Sequence, residues 1–507
     1  MLLTLASELI ELILSFVQEE SLLPCLLINK RMCEIMRTSP LLQYRWTLFR
    51  ARMRDNPLFR QPFSVKMDNL LATENAWLSC NPKFETTADM PYNIDYDHCV
   101  SDGVLFVPDQ DAEDGEGCIC YLELPGGPDD VPEWKRMRGT EDIDNLAIGL
   151  CIAEHDLVAL VNREKEDESQ PGYDIVISLV QYSTGDAHPL AEESKIVAVS
   201  GRTSRVPTVD VEISGDHIVL VMTTDTVAED EEPDDLVVIY DWRKGILKAT
   251  IVDIYHQYMN VVFLTETLIL LPMLHTQCLA IYRIPSEPRR DMISPILLLQ
   301  FPLLSDDCDY EAVPAVPLAL RSAFLPRAED AICAFEIIIA YLPEEGQIDR
   351  EPSCFTMIVH RKSFVEIAEG FDEDPSFDRT EPIAWENWGP FISRWLESST
   401  ENDLLILKCS GQRYVRKGEK DNNPGCPYVV LDFNDGIGAH SERSAEWEDV
   451  PRIRYHTNTS MTRVGPDDLF EGPVQGSLPY TASVSNIICA SDSVLLDSEY
   501  GLGIYVR

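Results

Sequence analysis

Apolar positions near the start of the chain fall at helical spacing, whereas from Cys99 onward they fall in short runs separated by tight polar turns. Leu5, Leu9, Ile13 and Phe16 recur along one helical stretch, Glu8 and Glu11 interrupt the apolar run, and Ser7 and Ser21 stand where N-caps are expected. A second segment carries Leu22, Leu23, Leu26 and Leu27 before the polar Asn29-Lys30-Arg31, and Ser39-Pro40 predicts its stop. A stretch of about forty residues has too little interior to hide so many apolar side chains, so some are expected to face a partner. No basic run precedes the stretch and no small-residue cleavage site follows it, which argues against a secretory signal or a membrane span.

Behind this stretch one unit recurs: an apolar strand, a tight polar turn, a second apolar strand, a loop of variable length, and a third strand. The turns are Ser101-Asp102-Gly103, Glu154-His155-Asp156, Gly215-Asp216-His217, Thr265-Glu266-Thr267, Ala328-Glu329-Asp330, Glu401-Asn402-Asp403 and Ser491-Asp492-Ser493. Third strands are expected near Cys118, Ile175, Leu236, Cys278, Phe355, Tyr428 and Leu502. A fourth strand, as at Gly245 to Ile251, would complete a propeller blade. The pattern predicts a mostly β fold, a seven-bladed β-propeller preceded by a small α-helical module, with a β-sandwich or two smaller β-domains as the alternative. The expected boundaries are a helical module over 1–48, a helical linker over 49–76 and the propeller over 77–507. Because the seventh unit stops after its third strand, an N-terminal strand at Trp77 to Thr86 is expected to close the last blade. Arg45, Arg50, Arg52 and Arg54 read as a solvated face of the linker.

Charge changes the picture of the partner. The net charge is −45, but residues 1–66 hold nine of the 41 basic and six of the 86 acidic residues, so the rest of the chain carries −48. A field of that sign repels nucleic acid and anionic membranes and favours a protein target with a basic segment. The acidic runs Asp111 to Gly117, Glu164 to Glu168, Ala228 to Asp235 and Glu344 to Glu351 each link a second to a third strand, while Arg413 to Lys420 reads as a basic loop beside them. Trp385, Trp388 and Arg394 are the target-binding candidates, because tryptophan and arginine are enriched at binding hot spots.

Chemistry is sparse. The 14 cysteines include no C-x-x-C pair, so reduced thiols in a cytoplasmic or nuclear setting are expected. His98, Cys99, Cys118 and Cys120 are the one cluster weighed as a metal site, and their spacing fits no zinc frame; no metal and no cofactor are expected. No phosphate-binding glycine loop, G-x-S-x-G or H-E-x-x-H occurs, and the nine histidines are scattered, so no enzymatic activity is expected.

The order L-x-x-E-L at Leu5 to Leu9, I-L at Ile13, S-L-L at Ser21 and I-N-K-R at Ile28 resembles the F-box motif over Leu5 to Leu42. The resemblance implies that Leu5, Ala6, Leu9, Ile10, Ile13, Leu22, Leu26 and Ile28 dock a Skp-type adaptor of cullin ubiquitin ligases. Ala6 stands where the family usually has proline, and Met32 where it often has an aromatic. Val237 to Asp241 followed by Gly245 resembles the end of a WD repeat, with Tyr240 in place of tryptophan, and Val429 to Asp432 followed by Gly436 repeats it. The W-x-x-W-G-P-x-x-S-R-W run from Trp385 to Trp395 looks like a signature of F-box proteins with propeller-like C-terminal regions. Together these resemblances imply the substrate-recognition subunit of a Skp-cullin-F-box ubiquitin ligase, with a non-ligase scaffold as the alternative.

Overall fold

The computed structural model describes residues 5–506 outside the segments 56–59, 80–86, 89–98, 102, 110–117, 125–129, 139–144, 165–171, 203–205, 224–234, 254–257, 259, 290, 315–323, 343–349, 373–380, 399–408, 418–425, 435–452, 457–468, 490–493 and 499–500. Four helices come first: α1 (Ser7–Leu14), α2 (Glu19–Ile28), α3 (Lys30–Thr38) and α4 (Pro40–Arg50). The N-caps of α1 and α2 are Ala6 and Gln18, neither of which caps with its side chain, so Ser7 and Ser21 lie inside the helices rather than at their caps. True side-chain caps are Asn29, whose Oδ1 accepts from the Arg31 N–H at 2.8 Å, and Ser39, whose Oγ accepts from the Leu42 N–H at 3.2 Å. Ser39-Pro40 therefore both ends α3 and starts α4, with proline at the position where its missing N–H costs nothing.

The connection to the β body is not the all-helical linker expected. Arg52 takes φ 57, and Met53–Asp55 becomes a short strand paired antiparallel with Phe324–Pro326. Helix α5 (Phe63–Ser79) follows and carries Trp77 to Ser79, so those residues are not a strand. The strand that pairs with the end of the chain is instead Thr87–Ala88, which runs parallel to Tyr505 and Val506. Arg45 is no solvated residue either: its guanidinium donates to the carbonyls of Leu14 at 3.3 Å and Val17 at 3.0 Å and pairs with Glu19. It ties α4 to the loop between α1 and α2.

The body is mostly β, and most of its sheets are built from antiparallel strands that are consecutive in the chain, the connectivity of a propeller-like body. Five four-stranded sheets follow in chain order. The first comprises Cys99–Ser101, Val104–Asp109, Cys118–Glu123 and Trp134–Arg136; the second, Asn145–Cys151, Leu157–Glu164, Tyr173–Gln181 and Lys195–Arg202. The third comprises Thr208–Ser214, His217–Thr223, Asp235–Asp241 and Ile246–Asp253; the fourth, Val262–Thr265, Leu268–Met273, Cys278–Arg283 and Leu297–Gln300. The fifth comprises Cys308–Ala312, Ile332–Tyr341, Ser353–His360 and Ser393–Ser398. A sixth sheet orders Cys409–Ser410, Arg413–Lys417, Cys426–Asp432, Tyr480–Cys489 and Ile453–His456, and a seventh orders Thr87–Ala88, Gly501–Val506 and Val494–Ser498.

Strand periodicity explains why these runs are apolar throughout rather than alternating. Successive side chains leave opposite faces of a strand, and here both faces meet another sheet. In His217–Thr223, Ile218, Leu220 and Met222 enter the core shared with the second sheet, while Val219 and Val221 enter the core shared with the fourth. In Leu268–Met273, Ile269 and Leu271 point back to the third sheet and Leu268 and Leu270 forward to the fifth. The interior is thus a series of layers between neighbouring sheets, from Phe106 and Leu160 between first and second to Ile358 and Leu431 between fifth and sixth.

Three expectations about the units need correction. The fifth sheet's first strand is Cys308–Ala312; the strand just before the Ala328–Asp330 turn, Phe324–Pro326, pairs with the N-terminal strand instead. In the sixth sheet Glu401 to Asp403 lies outside the described residues, and the turn into the second strand forms at Gly411, with φ 57. Arg413–Lys417 is therefore a strand and not a basic loop. A twelve-residue helix, Arg361–Asp372, also stands between the last two strands of the fifth sheet, buried through Phe364 and Ala368. No helix among the described residues is long and apolar enough to cross a membrane.

Candidate docking surface

Helix α1 is apolar on both sides, and its neighbours decide which side is hidden. Ile10 and Leu14, one turn apart, enter a core with Leu22, Met32, Ile35, Met36 and Leu42. Other apolar residues of this stretch stay outside: Leu9 is 48% exposed, Leu12 54%, Ile13 40% and, just past the end of α1, Phe16 81%. At the end of α2, Leu27 is 84% and Ile28 66% exposed. The Arg31 guanidinium donates to the Leu5 carbonyl at 2.8 Å, which brings the start of α3 beside the start of α1. Ala6 is exposed and Leu5 half-buried at this junction, and the Leu26 side chain lies outside the described set.

Of the eight expected docking positions, Leu9, Ile13, Ile28 and Ala6 thus face outward, whereas Ile10 and Leu22 are fully buried and hold the module together. Leu12, Phe16 and Leu27 are outward residues the motif reading did not include. Their signal was present, because a short helix with apolar residues all round its circumference cannot bury all of them. Met32, where an aromatic is common in the resembling family, is 3% exposed and packs inside.

The module is fixed to the β body by polar contacts at two places. Near α4, the Arg327 guanidinium lies 3.6 Å from Glu19 and 5.3 Å from the centre of the Phe49 ring, Arg52 pairs with Asp330 at 3.6 Å, and the Asn434 side chain donates to the Arg50 carbonyl at 3.0 Å. Near α5, Arg413 is buried between Glu74 at 2.6 Å and Asp432 at 2.9 Å, with the Trp77 ring 5.3 Å away. Burial pushes the Glu74 carboxyl above its usual range, with Arg413 opposing. Desolvation works against the Arg413 charge, but the two carboxylates outweigh it and hold the guanidinium above its usual range.

The structure removes the tryptophan stretch from the set of target-binding surfaces. Trp385 is 4% exposed, Trp388 3% and Arg394 1%. The Trp385 ring stands edge-on to Trp388 at 4.9 Å and to Trp395 at 5.7 Å, the Trp388 indole donates to the Gln300 carbonyl at 3.0 Å, and Arg394 Nε donates to the Leu478 carbonyl at 2.8 Å. Arg394 lies over the Tyr480 ring rather than over an indole. The stretch belongs to the approach to, and the body of, the fifth sheet's last strand, and through Arg394 it locks that sheet to the sixth. The acidic runs mostly lie outside the described residues, although the strands that flank them stand where the sequence placed them.

Side chains able to ligate a metal gather at another place than the cluster weighed in the sequence. Cys118 and Cys120 share one strand face with their sulfurs 3.7 Å apart, Cys99 Sγ donates to the Ile148 carbonyl, and His98 lies outside the described residues. Among the described residues the donors that converge are Cys151, Glu154 and His155, all within 4.8 Å of one another around a single helical turn. Buried Cys151 and largely covered His155 could hold a cation there, but Glu154 is exposed, which leaves the set half built.

No protein-family model matches this chain, and no curated protein matches it. Among solved structures it is similar to the Dos1 propeller, at 8% identity and a TM-score of 0.30, over 67% of this chain and 66% of that one. It is also similar to AztD of Citrobacter koseri, at 8% identity and a TM-score of 0.24, over 66% of this chain and 83% of that one. Hsv2p of Kluyveromyces lactis matches at 10% identity and a TM-score of 0.19, over 60% of this chain and 97% of that one. This chain thus spans just under two thirds of the Dos1 chain.

Proposed function

We propose that this protein is the substrate-recognition subunit of a Skp-cullin-F-box ubiquitin ligase: α1 and α2 dock a Skp-type adaptor, a seven-bladed propeller binds a target protein, and the ubiquitin chemistry belongs to the partner subunits. The supporting observation is the outward apolar row Leu9, Ile13 and Phe16, together with exposed Leu27 and Ile28 at the end of α2, on a module whose own core is already filled. Apolar side chains in that number, exposed on so small a module, are a surface made for a protein partner. The sheet-by-sheet connectivity supports the propeller, with the Thr87–Ala88 strand closing its last blade. The reading places the protein in the cytoplasm or nucleus, away from nucleic acid and membranes, without a cofactor and without catalysis of its own.

The scaffold alternative has its own support in the contacts that fix the module to the body, because a module so held could serve as an internal cap. Replacing Leu9 and Ile13 by aspartate separates the two. Both residues are outward, so the fold should survive, while a charge placed in a desolvated contact should cost over about 2 kcal/mol and abolish co-purification of a Skp-type adaptor. Unchanged adaptor capture by the double variant would overturn the docking role.

A further inference from the structure

The second sheet turns between its first two strands through Ile152 to His155, and three side chains of that turn converge. The Glu154 carboxylate stands between the other two, with Oε2 4.0 Å from Cys151 Sγ and Oε1 3.8 Å from His155 Nε2. The second distance is beyond hydrogen-bond reach, and His155 Nε2 is buried without a hydrogen-bond partner. A ring nitrogen so placed is costly unless something joins it. Cys151 is 8% exposed and the His155 side chain 11%, while the Glu154 side chain, at 42%, faces solvent.

The turn is fixed before any ligand arrives. Ile152 is buried between the first and second sheets, and Asp156 closes the turn with φ 56, its N–H donating to the Ile152 carbonyl at 2.8 Å. The Asp156 carboxylate accepts from the Ser183 N–H at 3.0 Å and the Gln181 side chain at 2.9 Å, which ties the turn to the end of the third strand. His188 Nε2 donates to the His155 carbonyl at 2.8 Å. The His155 ring packs on Trp242 at 5.5 Å, and His188 stands edge-on to the same indole at 5.0 Å. Trp242 follows the third strand of the third sheet, so His155 lies at the seam between two sheets. Donors oriented in this way lose little freedom on binding an ion.

We propose that Cys151, Glu154 and His155 bind a divalent cation of the zinc class. A thiolate, an imidazole and a carboxylate make the mixed sulfur, nitrogen and oxygen set that zinc takes, whereas calcium and magnesium take oxygen. Zinc bonds of about 2.0–2.3 Å put neighbouring donors about 3.3–3.7 Å apart, so the observed 3.8 and 4.0 Å close with side-chain shifts under about 1 Å. Exposed Glu154 supplies that movement, and its side leaves the fourth position to water. Cys151 releases its thiol proton to solvent as the sulfur–metal bond forms, and together with Glu154 it brings two negative charges to the ion. Bound there, the ion braces the turn against Trp242 and with it the seam between the second and third sheets. The site shares no residue with the helical module, so adaptor capture in either direction leaves it untouched.

The test is titration of the full chain, reduced and stripped with a chelator, first with Co²⁺ as an optical probe and then with Zn²⁺. One equivalent of Co²⁺ should bring up the near-ultraviolet sulfur-to-cobalt band, Zn²⁺ should abolish that band and raise the melting temperature, and Ca²⁺ and Mg²⁺ should do neither. Glu154→Gln, on the exposed side, should keep the melting temperature of the metal-free protein and weaken Zn²⁺ binding by about tenfold or more. Cys151→Ser, where it folds, should lose the cobalt band, which separates this thiol from the other cysteines of the chain. No cobalt band at one equivalent, unchanged Zn²⁺ affinity in Glu154→Gln, or an unchanged band in Cys151→Ser would overturn the proposal.

Discussion

Gly389 has no room for a side chain. A Cβ built on it would stand 2.1 Å from the Trp385 ring, so the close approach of backbone to indole is what lets Trp385, Trp388 and Trp395 interlock. Gly389→Ala is expected to cost about 3 kcal/mol through overpacking, read as a melting point lowered by several degrees in a tryptophan-fluorescence melt. A variant melting with the wild type would mean that the three rings are not packed as described. The sequence displayed these tryptophans but not their burial, because the same residue types that anchor interfaces also fill cores. What decides the matter is distant in sequence: Arg394 spends its Nε on Leu478, 84 residues away. In α1 local spacing revealed one apolar row, Leu5, Leu9, Ile13 and Phe16, whereas the inward row of Ile10 and Leu14 emerged only from the packing of α3.

Elements were legible in the sequence wherever their partners are adjacent. Third strands begin at Cys118, Tyr173, Asp235, Cys278, Ser353 and Cys426, at or within two residues of the expected positions, because long apolar runs bordered by hairpin turns specify themselves. The strand Phe324–Pro326 was misplaced because its partner, Met53–Asp55, lies on the far side of four sheets in sequence. The seat of α5 was hidden for the same reason, since Arg413 reads as a solvated loop residue until Glu74 is brought to it. Arg413→Met leaves two buried carboxylates without their shared counter-ion and is expected to destabilise the protein by about 3–5 kcal/mol, whereas Glu74→Gln, which keeps the Asp432 pair, should cost far less. Denaturant midpoints of the two variants check the order. Equal midpoints would show that the pair does not anchor the helix.

At the scale of the whole molecule, acidity makes stability depend on pH in a direction set by burial. Asp210 and Glu212 stand at alternate positions of Thr208–Ser214 and so leave the strand on one face. Burial pushes Asp210 up to about 6; burial and the charge of Asp210 push Glu212 up to about 8 against the pull of Arg361. An unfolded glutamate gives up its proton near 4.5, so between that value and about 8 the folded chain holds more protons and loses stability as pH rises. His217 acts the other way, since burial and Lys248 lower it and the unfolded state binds more protons below 6.5. Glu19 and Asp241, held low by Arg45 and Lys244 in spite of desolvation, matter only at acid pH, where stability is lost as they protonate. Above pH 6.5 the His217 contribution fades, and carboxyls raised by burial, Glu212 and Glu74 among them, set the slope. Asp210 and Glu212 both keep some solvent-facing surface, and screening reduces the effect to about 1 kcal/mol, or a few degrees of melting temperature between pH 6.5 and 8. Glu212→Gln should flatten that slope. General repulsion within a body of net charge −48 would produce a slope of the same sign, but it collapses in high salt, whereas the Glu212 slope persists because it arises chiefly from desolvation, on which salt acts little. A wild-type slope that vanishes in salt, or survives unchanged in Glu212→Gln, would assign the pH response to the surface and not to this strand.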